Sequence, residues 1–207
     1  MLQCNMKLIV GLGNPGRIYV DSKHNIGFAI LKALSQLYKI TLKKDNSTFS
    51  LSGRVKIKDQ NVILAMPLTF MNLSGIAVAA LVKKYKIDLA ELLVVCDDLD
   101  LEFGRLKIKD SGSSGGHRGL KSIIRSLGSQ GFSRLRIGIS RPPYKGIDTS
   151  SYVLLSFTKK QKEKIKDTIE KASKCCRVWA SDGVTKAMNI FNKSASTSLE
   201  HFDSKLP

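Results

Sequence analysis

The segment KLIVGLGNPGRIYVDSKHNIGFAILKALSQL, residues 7–37, decides the fold of this 207-residue chain. It opens on a short apolar run at residues 7–12, which is typical of a buried strand. A glycine-rich turn follows, and from Ile26 the apolar side chains recur every three or four residues, as they do on one face of a helix. The segment therefore predicts a strand, a loop and a helix in that order, which is the repeating unit of α/β proteins.

Strands and helices continue to alternate along the chain. The apolar patterns predict strands at residues 50–57, 61–66, 92–96, 105–109 and 134–139, and helices at residues 73–85, at residues 119–127, from residue 159 onward and after Asp182. This order favours an α/β fold, as a single three-layer domain with a central mixed, largely parallel sheet flanked by helices. The domain is expected to span residues 1–193, and the Ser-rich tail at residues 194–207 is expected to be disordered.

Composition and length exclude several classes of protein. The chain is 43% hydrophobic, which is enough for a sizeable core in one domain. Its longest apolar run, residues 76–82, is far shorter than the roughly 20 residues that cross a bilayer, and residues 1–10 lack the apolar region of a secretory signal. Four cysteines without a C-x-x-C spacing indicate reduced thiols. We therefore expect a cytoplasmic protein with no membrane partner.

The chain carries a formal net charge of +17, and part of the excess is concentrated. Residues 105–145 hold ten Lys or Arg against a single acid, Asp110, and residues 157–191 form a second basic region that acids dilute. Charge this unbalanced favours a polyanionic partner, and phosphate contacts to nucleic acid would supply affinity without sequence choice. An ordinary solvated basic face is the alternative, above all for the second region.

The turn GLGNPG at residues 11–16 matches the G-x-G-x-x-G pattern of dinucleotide-binding proteins. Its surroundings contradict that interpretation. Pro15 and residues 17–22 keep the turn from opening directly into a helix, and residues 31–37 lack the acid that would bind a ribose. A nicotinamide-dependent oxidoreductase is therefore disfavoured.

Unusual polar residues follow three of the predicted strands. Asn14 comes after the first strand, Asn72 after the strand at residues 61–66, and Asp97 after the strand at residues 92–96. Ligands of open α/β sheets bind outside the carboxyl ends of the strands. The three residues are therefore expected to line one crevice.

His24 is a candidate base at this crevice. It stands just before the first helix, with Asn14 and Tyr19 in the loop ahead of it. A carboxylate that follows an apolar strand, as Asp97 does, can orient an imidazole and stabilise its cation. Plainer interpretations remain, because a lone histidine is more often structural and residues 97–100, DDLD, could be a solvated acidic turn or a metal site.

Two further segments have a plain and a functional interpretation. In FMNLSG, residues 70–75, Asn72 could simply cap the following helix while its apolar neighbours enter the core. The loop GSSGGHRG, residues 112–119, offers backbone N–H groups and Arg118 to an anion, but it could be only a flexible connector.

Taken together, five motifs resemble the bacterial peptidyl-tRNA hydrolase family: GLGNPG, the histidine in KHNIG, PLTFMNLSG, DDLDLEFG and GSSGGHRGLKSI. They keep the family's order and spacing from about Leu8 to Phe191. The resemblance implies a monomeric hydrolase without cofactor or metal that cleaves peptidyl-tRNA and spares free aminoacyl-tRNA. It makes His24 the general base, Asp97 the residue that holds its imidazole, and Asn14 the residue that distinguishes blocked from free amino groups.

The resemblance also assigns binding residues. The positions that match the substrate site are Tyr19, Phe70, Met71, Asn72, His117 and Arg118, and those that match the tRNA site are Lys107, Lys109 and Arg136. One of them departs from the family, whose loop usually reads GGHNG, because Arg118 stands where the asparagine should be. Arginine cannot accept a hydrogen bond and adds a permanent charge, which puts the usual substrate contact there in doubt. The alternative function is a non-enzymatic RNA-binding protein of the same fold, against which the intact pair His24 and Asp97 counts.

Overall fold

The computed structural model describes residues 6–143 and 146–193. In chain order its longer elements are β1 (Lys7–Gly11), α1 (Ile26–Leu37), β2 (Lys43–Asp45), β3 (Ser50–Ile57), β4 (Gln60–Pro67), α2 (Ser74–Tyr85), β5 (Leu92–Asp98), β6 (Leu106–Lys109), α3 (Arg118–Leu127), β7 (Ser133–Gly138), α4 (Thr149–Leu154) and α5 (Lys159–Phe191).

A seven-stranded sheet organises these elements, in the order β2, β3, β4, β1, β5, β7, β6. The four central strands, β4, β1, β5 and β7, run parallel to one another. The outer strands β2, β3 and β6 pair in the antiparallel sense. Parallel central strands bring their carboxyl ends to one edge, where loops can build a site. The predicted mixed sheet of a single α/β domain is confirmed.

Helices cover both faces of the sheet. Successive strand residues point to opposite faces, so Ile9 packs with α1 and α5, which contribute Leu31 and Trp179. Its neighbour Val10 packs with α2 and α3, which contribute Val78 and Ile123. Each face thus has its own apolar core, and the domain has three layers.

β1 and α1 approach each other very closely beside the loop that carries Asn14. A Cβ atom added to Gly27 would lie 2.5 Å from the backbone N and O of Leu12, and one added to Gly11 would lie 2.3 Å from the carbonyl oxygen of Gly27. Only glycine allows this contact. It holds the start of α1, and with it the turn that carries His24, against the carboxyl end of β1.

The structure differs from the sequence prediction at the end of β5, at the short elements β2 and α4, and within α5. β5 continues through Asp98, because Asp97 and Asp98 still pair with Ile137 and Gly138 of β7, so Asp97 lies within the strand rather than after it. The sequence pattern does not predict β2 or α4, which have only three and six residues. In α5 the backbone departs from helical geometry at Gly183, one residue after the predicted start of a separate helix.

Within residues 6–143 and 146–193, no helix is long and apolar enough to cross a membrane. The tail predicted to be disordered, residues 194–207, lies outside the described residues.

The cysteines that the structure describes are buried and unpaired, namely Cys96, Cys175 and Cys176. Burial raises the pKa of the Cys176 thiol to about 12, so this side chain behaves as a small apolar group. Cys4 lies outside the described residues.

Candidate active site

A cleft of about 630 Å³ opens at the carboxyl edge of the parallel strands. Its walls come from the loop after β1, the turn before α2, the end of β5, the glycine-rich loop with the start of α3, and α4. The residues singled out in the sequence that line it are Asn14, His24, Phe70, Met71, Asn72, Asp97, His117, Arg118 and Arg136. The structure therefore brings side chains from distant segments of the chain to one place.

His24 lies on the short 3-10 turn Lys23–Asn25 that precedes α1, and it is buried. Its Nδ1 is 2.7 Å from Oδ1 of Asp97. A hydrogen bond to an ionised carboxylate places the ring proton on Nδ1 and leaves the Nε2 lone pair free. Within the described chain no group hydrogen-bonds to that Nε2. This is the arrangement of a general base held by a carboxylate.

A second imidazole shares the same carboxylate oxygen. Nε2 of His117 is 3.0 Å from Oδ1 of Asp97, and the two histidine rings are 5.0 Å apart between centroids. His117 also caps α3, because its Nδ1 accepts hydrogen bonds from the backbone N–H groups of Gly119 and Leu120 at 3.1 and 3.3 Å. An Nδ1 that accepts carries no proton, so His117 is neutral and donates through Nε2 to Asp97.

Asp97 is only 3% exposed, and its environment keeps it ionised. Burial alone would raise the pKa of its carboxyl, but the N–H groups of His117 and His24, which point at the carboxylate and donate hydrogen bonds to it, hold that pKa below its ordinary value. The carboxylate is therefore charged at neutral pH and available to stabilise an imidazolium on His24.

Asn14 is oriented by three hydrogen bonds. Its Oδ1 accepts from the backbone N–H of Met71 at 2.8 Å. Its backbone N–H donates to Oδ1 of Asn25 at 2.8 Å, and Nδ2 of Asn25 donates to the carbonyl of Asn14 at 3.0 Å. Because the Asn14 side-chain oxygen is occupied, its NH₂ group remains as the donor that a ligand in the cleft can meet.

The turn before α2 presents Phe70 and Asn72 at the rim of the cleft. Phe70 is 55% exposed, and Met71 between them is buried. The N-cap position of α2 is Leu73, and it has no side-chain cap. The capping interpretation of Asn72 is therefore wrong, and its exposed amide is free to contact a ligand.

Two other assigned positions differ in their placement. Arg118 is the first residue of α3, is exposed and lines the cleft. Tyr19 is half-buried on the 3-10 turn Arg17–Tyr19 and is not among the residues that line the cleft. Arg118 is thus in reach of a bound substrate, whereas the placement of Tyr19 gives no direct support to a substrate contact.

The assigned tRNA residues form a strip beside the cleft. Lys107 lies opposite Arg136 and Lys109 opposite Arg134 in the pairing of β6 with β7, so all four point to the face that carries α3. Arg136 reaches the cleft, where its guanidinium forms an ion pair with the carboxylate of Asp98. The strip leads from the cleft to the outer edge of the sheet.

The acidic segment at residues 97–100 is not a solvated turn. Asp97 and Asp98 are buried, and Asp100 is paired with Arg141 at 2.7 Å. A metal ion could in principle find ligand atoms of His24, Asp97 and His117 within 4.8 Å of one another. A metal on Nε2 of His117 would, however, require an imidazolate, because Nδ1 already accepts from two backbone N–H groups. The hydrogen bonds thus favour a proton-transfer site over a metal centre.

Sequence reasoning missed two residues and one wall of this site. Asn25 and Lys23 are buried beside His24, and α4 lines the cleft with Val153 and Leu154. Asn25 forms hydrogen bonds with a residue eleven positions away in the sequence, and Lys23 forms them with residues more than a hundred positions away. The one local signal is the run of three polar residues, KHN, directly before an apolar helix.

The cleft contains a candidate base in His24, but among the described residues no side-chain nucleophile is hydrogen-bonded to it. Its hydroxyl groups include Ser114, Thr149, Ser150 and Ser151, and in the described part of the chain none of them hydrogen-bonds to His24. A base without an adjacent hydroxyl or thiol acts on water. The site therefore suits a hydrolase built on an α/β domain, in which a histidine held by a carboxylate would act on water.

Comparison with known proteins narrows this class, and the chain belongs to the peptidyl-tRNA hydrolase family. The sequence pattern that defines the family matches residues 8–199. A peptidyl-tRNA hydrolase of Syntrophomonas wolfei is 45% identical over 187 residues, which cover 90% of this chain and 100% of the relative. One of Herpetosiphon aurantiacus is 46% identical over 191 residues, 92% of each chain.

Solved structures agree with the sequence comparison. The crystal structure of peptidyl-tRNA hydrolase from Acinetobacter baumannii matches with a TM-score of 0.84 and 36% identity, over 91% of this chain and 95% of the other. A peptidyl-tRNA hydrolase in complex with N-propanol matches with a TM-score of 0.86 and 36% identity, over 95% of this chain and 100% of the other.

Proposed function

We propose that this protein hydrolyses the ester bond that joins a peptide, or an N-blocked amino acid, to the 3′ ribose of tRNA. The observation that carries the proposal is the buried pair of His24 and Asp97, with Nε2 of His24 bonded to none of the described residues, in the cleft of a chain of this family. The activity would recycle tRNA from peptidyl-tRNA released by stalled ribosomes.

His24 supplies the proton transfers of the reaction. Its Nε2 takes a proton from a water molecule, which attacks the ester carbonyl carbon, and the imidazolium then returns the proton to the departing ribose oxygen. Asp97 stabilises the imidazolium between these two transfers. An ester needs only modest activation, so amide donors such as those of Asn14 and Asn72 suffice to steady the oxyanion.

The orientation of Asn14 supports a preference for N-blocked substrates. Its NH₂ group faces the ligand as a donor because Met71 occupies its oxygen. The carbonyl of a blocked amino group can accept that hydrogen bond, whereas a free α-ammonium group has only donors. The same side chain thus favours peptidyl-tRNA and disfavours aminoacyl-tRNA.

tRNA affinity is assigned to the strip of Lys107, Lys109 and Arg136, as phosphate contacts that carry no base specificity. Arg118 begins α3 and lines the cleft, which supports its proposed contact with phosphate at the 3′ end of the tRNA. Its exposed guanidinium replaces the neutral asparagine of the family loop. Binding through these groups should weaken steeply with salt.

Release of tRNA from N-acetylated aminoacyl-tRNA by the purified protein tests the proposal. We expect rapid release without added metal, unchanged by a chelator, and much slower release from the free aminoacyl-tRNA. Tight binding of tRNA without cleavage of either substrate would instead support the non-enzymatic RNA-binding function.

The cellular setting is part of the same proposal. We infer a monomer that acts in the cytoplasm, where translation supplies the substrate. Light scattering should give the mass of a single 22.8 kDa chain at micromolar concentration. A stable dimer would contradict the monomer.

A further inference from the structure

Lys23 and Arg134 are the two buried cations among the described residues, with exposures of 3% and 1%. Neither forms an ion pair with a described carboxylate. Burying a cation without a carboxylate is costly unless other groups compensate. Both residues find the same compensation, which is a set of backbone carbonyls and the face of an aromatic ring, and both find it in segments next to a wall of the cleft.

Lys23 attaches the α4 wall to the turn that carries the catalytic base. Its Nζ donates to the carbonyls of Ser156 at 3.0 Å and Leu155 at 3.4 Å, and its backbone N–H also donates to Leu155 at 3.0 Å. The ammonium lies 4.7 Å from the ring centroid of Tyr152 and 5.7 Å from that of Phe157. The Lys23 side chain thus contacts both the end of α4 and the segment that follows it.

Arg134 attaches the wall made by the glycine-rich loop. Its guanidinium donates to the carbonyls of Gly112 and Ser113, where the loop begins, and of Gln130 and Phe132, where the chain returns after α3. It also lies 4.4 Å from the ring centroid of Phe132. One side chain therefore holds both ends of the segment that contains the glycine-rich loop, His117 and α3.

We propose that Lys23 and Arg134 are positioning residues that hold the α4 wall and the wall made by the glycine-rich loop at their distance from His24. Each wall has another polar contact to the sheet region, from Tyr152 Oη to the carbonyl of Ile139 in one and from His117 to Asp97 in the other. A cation with several carbonyl partners fixes more of each wall than one such hydrogen bond would. The kinetic consequences rest on the proposed hydrolase function, whereas the attachment of the walls does not.

The two walls should affect different steps. The α4 wall contributes Val153 and Leu154 to the cleft but no group of the catalytic pair, so Lys23 should act on substrate binding. The glycine-rich loop carries His117, which bonds Asp97, so Arg134 should act on the chemical step.

Lys23→Met tests the first wall. Methionine fills a similar volume between the two rings but has no charge and no side-chain donor. The Leu155 carbonyl keeps its bond from the backbone N–H of residue 23, and the freed carbonyl belongs to Ser156, an exposed residue. Because a buried charge is removed, the melting temperature should stay level or rise. KM for N-acetylated aminoacyl-tRNA should rise by about tenfold with kcat kept, and Lys23→Arg should restore part of the affinity.

Lys7→Met is the matched control for that variant. Lys7 is half-buried and also lies over a ring, 5.0 Å from the centroid of Trp179, but it has a carboxylate partner in Glu91 and lies at the opposite end of β1. Its loss should lower the melting temperature and leave KM unchanged, which is the reverse of the pattern expected for Lys23→Met.

Arg134→Lys tests the second wall. Lysine keeps the charge but lacks the planar fork that spans both ends of the loop. We expect kcat to fall by about tenfold with a smaller change in KM. Phe132→Leu, which removes the ring beneath the guanidinium, should shift kcat in the same direction if Arg134→Lys does not fold. Arg54→Lys, at an exposed arginine 5.7 Å from the ring of Tyr85, is the matched control and should change neither constant.

Hydrogen exchange separates wall attachment from activity. Amides at residues 152–157 should exchange faster in Lys23→Met alone, and amides at residues 112–120 faster in Arg134→Lys alone. If both variants lose only melting temperature and keep KM, kcat and local exchange, the positioning roles are wrong. If local exchange changes as expected while the wild-type protein cleaves no peptidyl-tRNA, the wall attachment stands and the proposed function fails.

Discussion

Replacing Asp97 by asparagine removes the charge at the centre of the site and keeps its shape. Oδ1 of Asp97 accepts both imidazole N–H groups, from His24 at 2.7 Å and from His117 at 3.0 Å. An amide oxygen in the same position can accept both, with the NH₂ group in place of the other carboxylate oxygen. The variant should therefore fold, and it should hold His24 in the same tautomer without a counter-ion for the imidazolium.

The size of the effect follows from the burial of the pair. Two unit charges about 4 Å apart interact by about 4 kcal/mol at an effective dielectric constant of about 20. Asp97 and His24 are 3% and 8% exposed, so solvent screening reduces this little, but the amide dipole retains part of it. A loss of about 2 to 4 kcal/mol corresponds to a decrease in kcat of about thirty- to a thousandfold.

Single-turnover release of tRNA from N-acetylated aminoacyl-tRNA, at saturating protein, measures this decrease without interference from product release. The affinity for tRNA should not change, and thermal unfolding should show a folded protein. If Asp97→Asn lowers only the melting temperature and leaves the single-turnover rate intact, Asp97 is a structural residue and the proposed role of the pair is wrong.

Four further predictions concern the base, the tRNA contacts and acid stability. His24→Ala should lower kcat by about a hundredfold or more with little change in tRNA affinity, and near-normal turnover would remove it from the mechanism. Arg118→Ala should raise KM with kcat largely kept, and the salt dependence of tRNA binding should flatten by about one phosphate contact. Arg118→Asn should keep activity. If Arg118→Ala leaves both KM and the salt slope unchanged, the Arg118 side chain points to solvent. Lys109→Ala should weaken tRNA binding with a similar loss of salt slope and no change in kcat, and an unaltered filter-binding isotherm would exclude that contact. The pKa of Asp97 is held below its ordinary value of about 3.9, so its ionised form stabilises the fold fully above that pH and the benefit is lost progressively as pH falls below it. The difference in melting temperature between wild type and Asp97→Asn should therefore be constant above about pH 5 and shrink below about pH 4, and a difference that stays constant down to about pH 3 would contradict the lowered pKa.

The sequence predicted the parts of the site that strand ends determine. Asn14 and Asp97 could be placed at one edge because each comes at the carboxyl end of an apolar run, and parallel strands bring those ends together. Even there the boundary of β5 was misplaced, because its last two residues are polar and are drawn into the strand by pairing with β7.

The parts that long-range contacts determine could not be predicted. His117 was assigned to substrate binding, yet its ring is held between Asp97 and the first backbone N–H groups of α3, which no local pattern reveals. Lys23 is an unremarkable surface-type residue in the sequence, and its burial depends on carbonyls of a segment more than a hundred residues away. α4 is too short for a periodic pattern, so a whole wall of the cleft went unrecognised.

The most direct test is the single-turnover rate of tRNA release from N-acetylated aminoacyl-tRNA, compared between the wild-type protein and His24→Ala at saturating protein and without added metal. If water activated by His24 breaks the ester, the wild type should release the tRNA and the variant should do so at least about a hundredfold more slowly while binding the substrate equally well. Equal rates in the two proteins, or binding by both with release by neither, would contradict it.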